Sequence, residues 1–262
     1  MDLGLPGKTA IVLGASKGIG RACARALAAE GCSLALAARG PQTLGDEAAD
    51  IARECQVAVI HRACDVTRDA SRGEFVEEVV KRFGRADILV NNCEGPKPGA
   101  LKDLLEPQDW QDAIERSLLQ AVKWTLAVIP HMKGWGRIVN IVSTSVKQPI
   151  DGLLLSNTMR PGVIGFSKSI SRELAARGIT INSVLPGRIR TARTTDLARA
   201  RAEKEGVAIE SVLQERLRDI PAGRLGEPEE IGALVAFLCS QHAGYITGTT
   251  VTIDGGMTRS IL

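Results

Sequence analysis

The sequence predicts an α/β fold, in which a doubly wound parallel sheet of about seven strands forms a single domain over residues 1–262. Short runs of β-branched and aliphatic residues alternate with longer amphipathic patterns along the chain, as in proteins that alternate strands and helices. The strand runs are continuously apolar, which is typical of strands that are buried on both faces. Parallel neighbours need right-handed crossovers through helices, and these lead to the doubly wound arrangement.

Seven strands are predicted from the apolar runs. They cover residues 9–13, 33–37, 57–61, 86–90, 137–142, 179–184 and 249–253. Helical patterns connect them. They cover residues from the end of the first strand to about 30, 41–54, 69–83, about 106–132, about 156–177 and 228–240. Pro107 fits the fourth of these helices because proline is tolerated in a first helical turn.

Residues about 191–220 interrupt the alternation with two highly charged helical segments, TDLARARAEKEG and AIESVLQERLRDI. A solvated helical hairpin accounts for them, and so does a lid over a ligand pocket. The insertion starts at the carboxyl end of a strand, where ligands bind in parallel α/β sheets, so we favour the lid.

The composition argues against several classes of protein. Lys plus Arg total 33 and Asp plus Glu total 30, so the net charge of +3 gives no indication of binding to nucleic acid or to an anionic membrane. No apolar run approaches the ~18 residues of a membrane span, and the first residues lack a signal-peptide pattern, so we expect a cytoplasmic protein. Six cysteines stand without metal-ligand spacing, so we expect reduced thiols and no metal site.

A glycine-rich turn, GASKGIG at residues 14–20, follows the first strand directly and opens the first helix. Glycine lets the backbone turn tightly and approach a pyrophosphate, whose charge meets the free N–H groups of the helix. In this strand–turn–helix context, the motif indicates a dinucleotide site rather than a simple turn.

Several further motifs follow in order along the chain. They are Asp65-Val66, Asn91-Asn92, IVNIVS at 138–143, GVIGFSKSISRELAARGITINSVLPG at 162–187 and YITGTTVTIDGG at 245–256. Together with the glycine turn, they make the chain resemble the short-chain dehydrogenase/reductase family over nearly its whole length, in particular its 3-oxoacyl-[acyl-carrier-protein] reductase-like members. The resemblance implies a Rossmann-type NAD(P)-binding domain and an oxidoreductase.

The cofactor is predicted to be NADP(H). The second strand runs into Arg39 without the carboxylate that would accept a hydrogen bond from the ribose 2′-hydroxyl of NAD, whereas Arg39 and Lys17 suit a 2′-phosphate. By resemblance, Asp65 and Val66 lie beside the adenine and Asn91 lies beside the adenosine ribose. The resemblance gives the remaining cofactor positions to Gly14, Ser16, Gly18, Ile19, Gly20, Arg160, Pro186, Gly187, Ile189 and Thr191.

The catalytic positions depart from the family pattern. In this family, a Ser polarises the substrate oxygen, and a Tyr thirteen residues later transfers the proton. A Lys four residues beyond the Tyr lowers its pKa, and an Asn in the preceding long helix holds a relay water. Ser143 matches the first position, whereas Ser156, Arg160 and Ser117 occupy the other three.

These replacements change the chemistry of the site. A tyrosine hydroxyl has a pKa of about 10, whereas a serine hydroxyl is a far weaker acid and ends roughly 4 Å short of the phenol oxygen. Ser156 is therefore expected to act only through an intervening water. Arg160 still offers positive charge and hydrogen bonds to ribose hydroxyls, but it is not a proton shuttle. The chain's single tyrosine, Tyr245, is expected to pack near the last strand.

Other residues near the predicted pocket offer alternatives. Lys147 lies in the loop after Ser143, and Glu94 takes the place of the family's usual glycine near the nicotinamide. Each is either a candidate proton carrier or a solvated surface residue. Arg188 and Arg190 are either candidates for holding an anionic substrate group or exposed cations.

We therefore favour an NADP(H)-dependent oxidoreductase that acts on a small carbonyl or alcohol substrate with a non-standard proton transfer. The alternatives are a nucleotide-binding protein without redox catalysis and a lyase or dehydratase on the same fold. The resemblance also implies a homotetramer, with a dimer as the second choice, that assembles through the helices at about 106–132 and 156–177.

Overall fold

Seven parallel strands form one sheet in the order β3-β2-β1-β4-β5-β6-β7. The computed structural model describes residues 1–65, 67–92, 94–103 and 106–261. The strands are β1 (Thr9–Leu13), β2 (Ser33–Ala38), β3 (Val59–Ala63), β4 (Ile88–Asn92), β5 (Gly136–Ile141), β6 (Ile179–Pro186) and β7 (Thr250–Ile253). The predicted doubly wound α/β fold is therefore confirmed. Strands β3 and β4 begin two residues later than predicted, because the apolar runs extend into the preceding loops.

Helices follow the strands and cover both faces of the sheet. They are α1 (Gly18–Ala29), α2 (Pro41–Cys55), α3 (Asp69–Phe83), α4 (Pro107–Ile114), α5 (Gln120–Val128), α6 (Leu154–Ala175), α7 (Ala192–Glu205), α8 (Ile209–Arg218) and α9 (Pro228–Cys239). A π-helical segment, Glu115–Leu119, joins α4 to α5, and a 3-10 turn, Ile129–His131, ends that helical run. Within the described ranges, none of these helices is long and apolar enough to cross a membrane.

The alternating side chains of each strand build two separate cores. Val12 and Val90 point into the core that α1, α2 and α9 cover, whereas Ile11 and Leu89 point into the core beneath α3, α5 and α6. In the second core, the rings of Phe75 and Trp124 meet edge to face, with their centroids 6.2 Å apart. The continuous apolar character of the strands therefore reflects burial on both faces.

The strand order reverses at β1, which has β2 on one side and β4 on the other. In open α/β sheets, the loops that leave the strands at this point run in opposite directions and open a crevice at the carboxyl ends. The glycine turn leaves β1 into this crevice, and the loops after β2 and β4 flank it. The fold thus places the predicted nucleotide motif where ligands bind in such sheets.

Helices α7 and α8 form the helical hairpin that the sequence predicts after β6. Ala198 and Ala202 of α7 pack against Val212 of α8 and give the hairpin a small apolar core of its own. Thr191 starts α7 by accepting a hydrogen bond from the Thr194 amide through its side-chain oxygen, at 3.3 Å. The hairpin stands at the carboxyl end of β6, and its action as a lid stays a prediction.

Gly232→Ala tests the close approach of α9 to α1. A Cβ at residue 232 would lie 2.6 Å from the Ala22 carbonyl oxygen, so the two helices must separate, and we expect a loss of about 1–3 kcal/mol in the free energy of unfolding. Gly165→Ala in α6 is the matched control, since no atom lies within 4 Å of the added Cβ and alanine favours a helix by about 0.5–1 kcal/mol. Urea titrations measure the free energy of unfolding of both variants. Equal changes in the two variants would contradict the close packing of α9 against α1.

Candidate functional site

The turn after β1 has a shape that requires glycine. Gly14 has φ of 63° and Gly18 has φ of 56°, in the left-handed region. A Cβ at Gly20 would lie 2.2 Å from the Gly14 carbonyl oxygen. Lys17 precedes α1 without a side-chain cap, so the first N–H groups of the helix have no partner from the capping residue. The turn therefore fits the pyrophosphate of a dinucleotide, because free amides and the helix dipole attract an anion.

Two neighbouring residues contact this glycine turn. Asn92 donates its side-chain amide to the Gly14 carbonyl at 3.4 Å, and the methyl group of Thr191 lies 3.4 Å from the position that a Cβ of Gly18 would take. Thr191 is a predicted cofactor residue, whereas Asn92 was not. The predicted positions Ser16 and Ile19 are half-buried in the turn, and Ile189 is buried near Pro186 and Gly187 at the end of β6.

Asp65 follows β3 and is anchored by its neighbour. Thr67 donates its hydroxyl and its backbone N–H to the same carboxylate oxygen, at 2.7 and 3.0 Å. These hydrogen bonds lower the pKa of Asp65, chiefly through the hydroxyl. The charged carboxylate is a suitable acceptor for the exocyclic amine of an adenine. Val66, the other predicted adenine contact, lies outside the described residues.

The Asn91 side chain turns away from the crevice. It is buried and donates to the Asn140 side-chain oxygen at 2.7 Å and to the Thr125 hydroxyl at 3.1 Å. Successive residues of a strand face opposite sides, so Asn92 faces the glycine turn and Asn91 faces α5. The predicted contact of Asn91 with the adenosine ribose would therefore involve its main chain, because its side chain faces the other side of the sheet.

The predicted phosphate ligand Arg39 lies in an ion pair. One of its guanidinium nitrogens is 2.7 Å from a carboxylate oxygen of Glu94. The Arg39 side chain is 63% exposed and the Glu94 side chain is 50% exposed. The pair joins the loops after β2 and β4 across the end of β1. This pair engages the Glu94 carboxylate, and the place of Glu94 near the nicotinamide stays a prediction.

Three serines meet at the carboxyl end of β5. Ser143 accepts a hydrogen bond from the Ser145 amide at 3.1 Å, and the hydroxyls of Ser145 and Ser156 are 3.2 Å apart. Ser145 and Ser156 are buried. Sequence reasoning missed Ser145, although its position two residues after Ser143 on a short 3-10 turn was a usable signal. The cluster offers one accessible hydroxyl on Ser143 and a hydroxyl pair behind it.

Arg160 and Ser117 close the other side of this region. Arg160 donates to the Val142 carbonyl, beside Ser143. Ser117 lies in the π-helical segment, a feature often found at functional sites. Ser117, Arg160 and Asn91 help to line a cavity of about 10 Å³, roughly the space of one water molecule. The Ser117 hydroxyl and the side-chain amide oxygen of Asn91 (Oδ1) are buried without a hydrogen-bond partner in the described structure, so this cavity suits a water.

A family model described as an enoyl-(acyl carrier protein) reductase matches residues 14–258 of the chain. A curated relative, the 3-oxoacyl-[acyl-carrier-protein] reductase FabG of Vibrio cholerae, is 36% identical over 97% of this chain and 99% of its own. The chain belongs to the short-chain dehydrogenase/reductase family. It is an oxidoreductase of that family's type.

Other relatives of the chain differ in what their names say they act on. The D-beta-hydroxybutyrate dehydrogenase of Cupriavidus necator is 34% identical over 96% of this chain and 98% of its own. The L-sorbose reductase of Gluconobacter frateurii, solved with NADPH and L-sorbose, has a TM-score of 0.95 at 31% identity and full coverage of both chains. Actinorhodin polyketide ketoreductase with NADPH has a TM-score of 0.90 at 33% identity, covering 96% and 97%. The family thus spans several small-molecule substrates.

The predicted anion-binding arginines are engaged elsewhere. Arg188 donates to the Arg216 carbonyl and pairs with Asp219 at 2.8 Å, which ties β6 to the end of α8. Arg190 pairs with Glu227 at 2.8 Å. Their charges are therefore balanced within the protein, and the prediction that they hold a substrate is not supported. Lys147 is half-buried in the turn after Ser143, and no described residue bonds its ammonium group.

Among the described residues, neither the cysteines nor the tyrosine supplies a reactive group at this site. The five described cysteines are free, and burial raises the pKa of Cys23 and of Cys32 to about 12. A thiol with so high a pKa is a poor nucleophile near neutral pH. Tyr245 is fully exposed, so the expectation that it packs within the chain is wrong. Cys93 lies outside the described residues.

Glu94→Gln tests whether Glu94 competes with a 2′-phosphate for Arg39. Removing the carboxylate charge frees the guanidinium, and since an exposed ion pair contributes up to about 1 kcal/mol, we expect NADPH affinity to rise about two- to fivefold while NADH affinity stays constant. Glu74→Gln is the control, because Glu74 also pairs with an arginine at the surface, at 2.9 Å from Arg62. Fluorescence titrations with both cofactors measure the effect. Equal changes for NADPH and NADH would contradict it.

Proposed function

We propose that the protein is an NADP(H)-dependent oxidoreductase that interconverts a small carbonyl compound and its alcohol. The observation that carries the proposal is the position of Ser143, which stands at the carboxyl end of β5 near a glycine turn suited to a dinucleotide. Relatives solved with NADPH support the choice of cofactor. The assignment of individual residues to this chemistry is part of the proposal.

The cofactor would lie along the crevice at the strand ends. The α1 N-terminus would hold its pyrophosphate, Lys17 and Arg39 its 2′-phosphate, and Arg160 the hydroxyls of the nicotinamide ribose. No acidic residue follows β2 directly, which supports NADP(H) over NAD(H). When bound, the reduced nicotinamide supplies a hydride to the substrate carbon.

Ser143 would polarise the carbonyl. Its oxygen accepts a hydrogen bond from the Ser145 amide, so its own hydroxyl proton is available to donate to the substrate oxygen. The product alcohol also needs one proton from solvent. We assign its delivery to a water that the Ser145 and Ser156 hydroxyls orient. Arg160 supplies positive charge near the oxygen on which negative charge develops.

The replaced acid–base residues favour one competing candidate, a nucleotide-binding protein without redox catalysis. Incubation of the protein with NADPH and a panel of aldehydes, ketones and oxo acids separates the two. Steady loss of NADPH absorbance with formation of the matching alcohol supports the oxidoreductase. Binding of NADPH without turnover of any compound would contradict it and favour the nucleotide-binding protein or a non-redox enzyme.

The pH dependence of kcat/KM should be flat. Serine and water donate protons as neutral groups, and arginine keeps its charge at ordinary pH, so no proposed catalytic group changes charge between pH 6 and 9. We expect less than a threefold change over this range, in a buffer series of constant ionic strength. A tenfold change per pH unit within it would assign the proton transfer to a titrating residue instead.

Arg160→Ala and the double exchange Ser156→Tyr with Arg160→Lys test the two replaced positions. Loss of the guanidinium should weaken NADPH binding by about 1–3 kcal/mol, the size of lost charged hydrogen bonds. The double exchange should not create a fast reductase, because the Ser145 hydroxyl lies 3.2 Å from Ser156 and crowds a phenol. If Arg160→Ala binds NADPH with unchanged affinity, Arg160 does not contact the cofactor. If the double exchange turns over a carbonyl compound at about 10 per second or more, the site accommodates a phenol without crowding.

The homotetramer stays a prediction of the sequence. Leu126 on α5 and Tyr245 before β7 are exposed at 56% and 102%, which gives apolar surface to an assembly through these regions. We include a closed symmetric oligomer in the proposal because most soluble oligomers have that form.

A further inference from the structure

The helical hairpin of α7 and α8 is built as a unit of its own. Its small apolar core, formed by Ala198, Ala202 and Val212, is separate from the two cores of the sheet in the part of the chain that the structure describes. Arg201 of α7 and Glu215 of α8 form an ion pair at 2.8 Å. Contacts within the hairpin therefore hold its two helices together, and the hairpin can move as one body.

A narrow stem joins the hairpin to the sheet. Ile189 and Gly226 form an isolated parallel bridge, in which Arg190 donates its backbone N–H to the Gly226 carbonyl at 2.8 Å. A cavity of about 90 Å³ lies beside this stem, and its walls include Ile189, Gly226 and Asp254. Because a densely packed interior resists displacement, this gap in the packing leaves the stem room to turn.

The first turn of α7 reaches from the stem over the crevice. Arg193 donates to the Gly95 carbonyl in the loop after β4, at 3.3 Å. The methyl group of Thr191 lies 3.4 Å from the position that a Cβ of Gly18 would take in the turn after β1. In the sheet, β4 and β5 separate β6 from β1, so these contacts span the carboxyl ends of both strands. The hairpin thus covers the part of the crevice that we assign to the cofactor.

We propose that the hairpin is a lid, and that the hydrogen bond from Arg193 to the Gly95 carbonyl is the latch that keeps it closed. The inference rests on one part of the proposed function, the binding of NADP(H) in this crevice, and is independent of the redox step. When the latch opens, the hairpin turns about its stem and uncovers the crevice, so that the cofactor enters and leaves. One hydrogen bond suits a latch because it favours the closed lid and still breaks readily.

Stopped-flow fluorescence of NADPH binding tests the latch. Arg193→Met removes the donor, so the lid is open for a larger fraction of the time, both with and without cofactor. We therefore expect the association and dissociation rate constants to rise together by about three- to tenfold, the effect of losing one hydrogen bond, while Kd changes less than twofold. Arg199→Met is the matched control, because Arg199 pairs with Asp196 at the surface of the same helix, and both of its rate constants should stay unchanged.

The two rate constants distinguish a latch from a direct contact with the cofactor. If Arg193 binds a phosphate of NADPH, its loss raises the dissociation rate constant, whereas the association rate constant stays equal or falls, since a positive charge speeds the arrival of an anion. That result would overturn the latch. Two unchanged rate constants would overturn it as well.

Hydrogen exchange of the protein without cofactor tests the lid independently of NADPH. In Arg193→Met, we expect faster exchange of the stem amides of Arg190 and Gly226, whereas the amides inside α7 and α8 keep their protection because the hairpin turns as one body. Unchanged exchange in the stem, or faster exchange throughout both helices, would overturn the lid. If the stem amides respond as expected but no NADPH binds, the lid stands and the proposed function fails. If NADPH binding responds as expected but no carbonyl compound is reduced, only the redox step fails.

Discussion

A buried hydrogen bond between Asn91 and Asn140 holds the site together. The Asn91 amide donates to the Asn140 oxygen at 2.7 Å, and Asn140 donates to the Ser167 hydroxyl at 3.0 Å. These contacts join β4, β5 and α6, which carry the loop to Gly95, the serine turn and Arg160. Leaving such buried groups unpaired costs about 1–3 kcal/mol each, so the three elements stay in one register. The positions of the reacting groups depend on that register.

The proposed function combines the family's scaffold with a different set of proton donors. The resemblance gives the glycine turn and Ser143 their family roles, and it puts Ser156 and Arg160 at the positions of the phenol and the amine of the family's proton transfer. The Ser156 hydroxyl lies 3.2 Å from that of Ser145, and the Arg160 guanidinium reaches the Val142 carbonyl. A fixed positive charge is kept while the titrating pair is lost, which is why water becomes the proton donor in the proposed reaction.

The sequence predicted the fold because its information is local. Apolar runs mark the strands, and glycines with positive φ mark the turn after β1. The alternation of side chains along β4 sets Asn91 and Asn92 on opposite faces, so the contact of Asn92 with the glycine turn could have been predicted from the sequence. The partners of charged loop residues could not be predicted in this way, because they depend on which loops the folded sheet brings together. Examples are the pairs Arg39–Glu94 and Arg188–Asp219.

The same limit explains why the contact between α7 and the loop after β4 was missed. Five arginines lie between residues 188 and 201, and their spacing does not say that Arg193 is the one that donates to the Gly95 carbonyl. The π-helical segment that carries Ser117 is equally hidden, because its residues suit an ordinary helix. Both features arise from packing between distant parts of the chain, so a structure is needed to identify them.

Transfer of deuterium tests the central claim most directly. The protein is incubated with NADPH that carries deuterium at both hydrogen positions of the nicotinamide C4 atom, together with the panel of aldehydes, ketones and oxo acids, and the mass of each product is measured. Our account predicts one deuterium on the new carbinol carbon of the product. Products without deuterium, or no product from any compound of the panel although NADPH binds, would contradict the claim that this site transfers a hydride to a carbonyl.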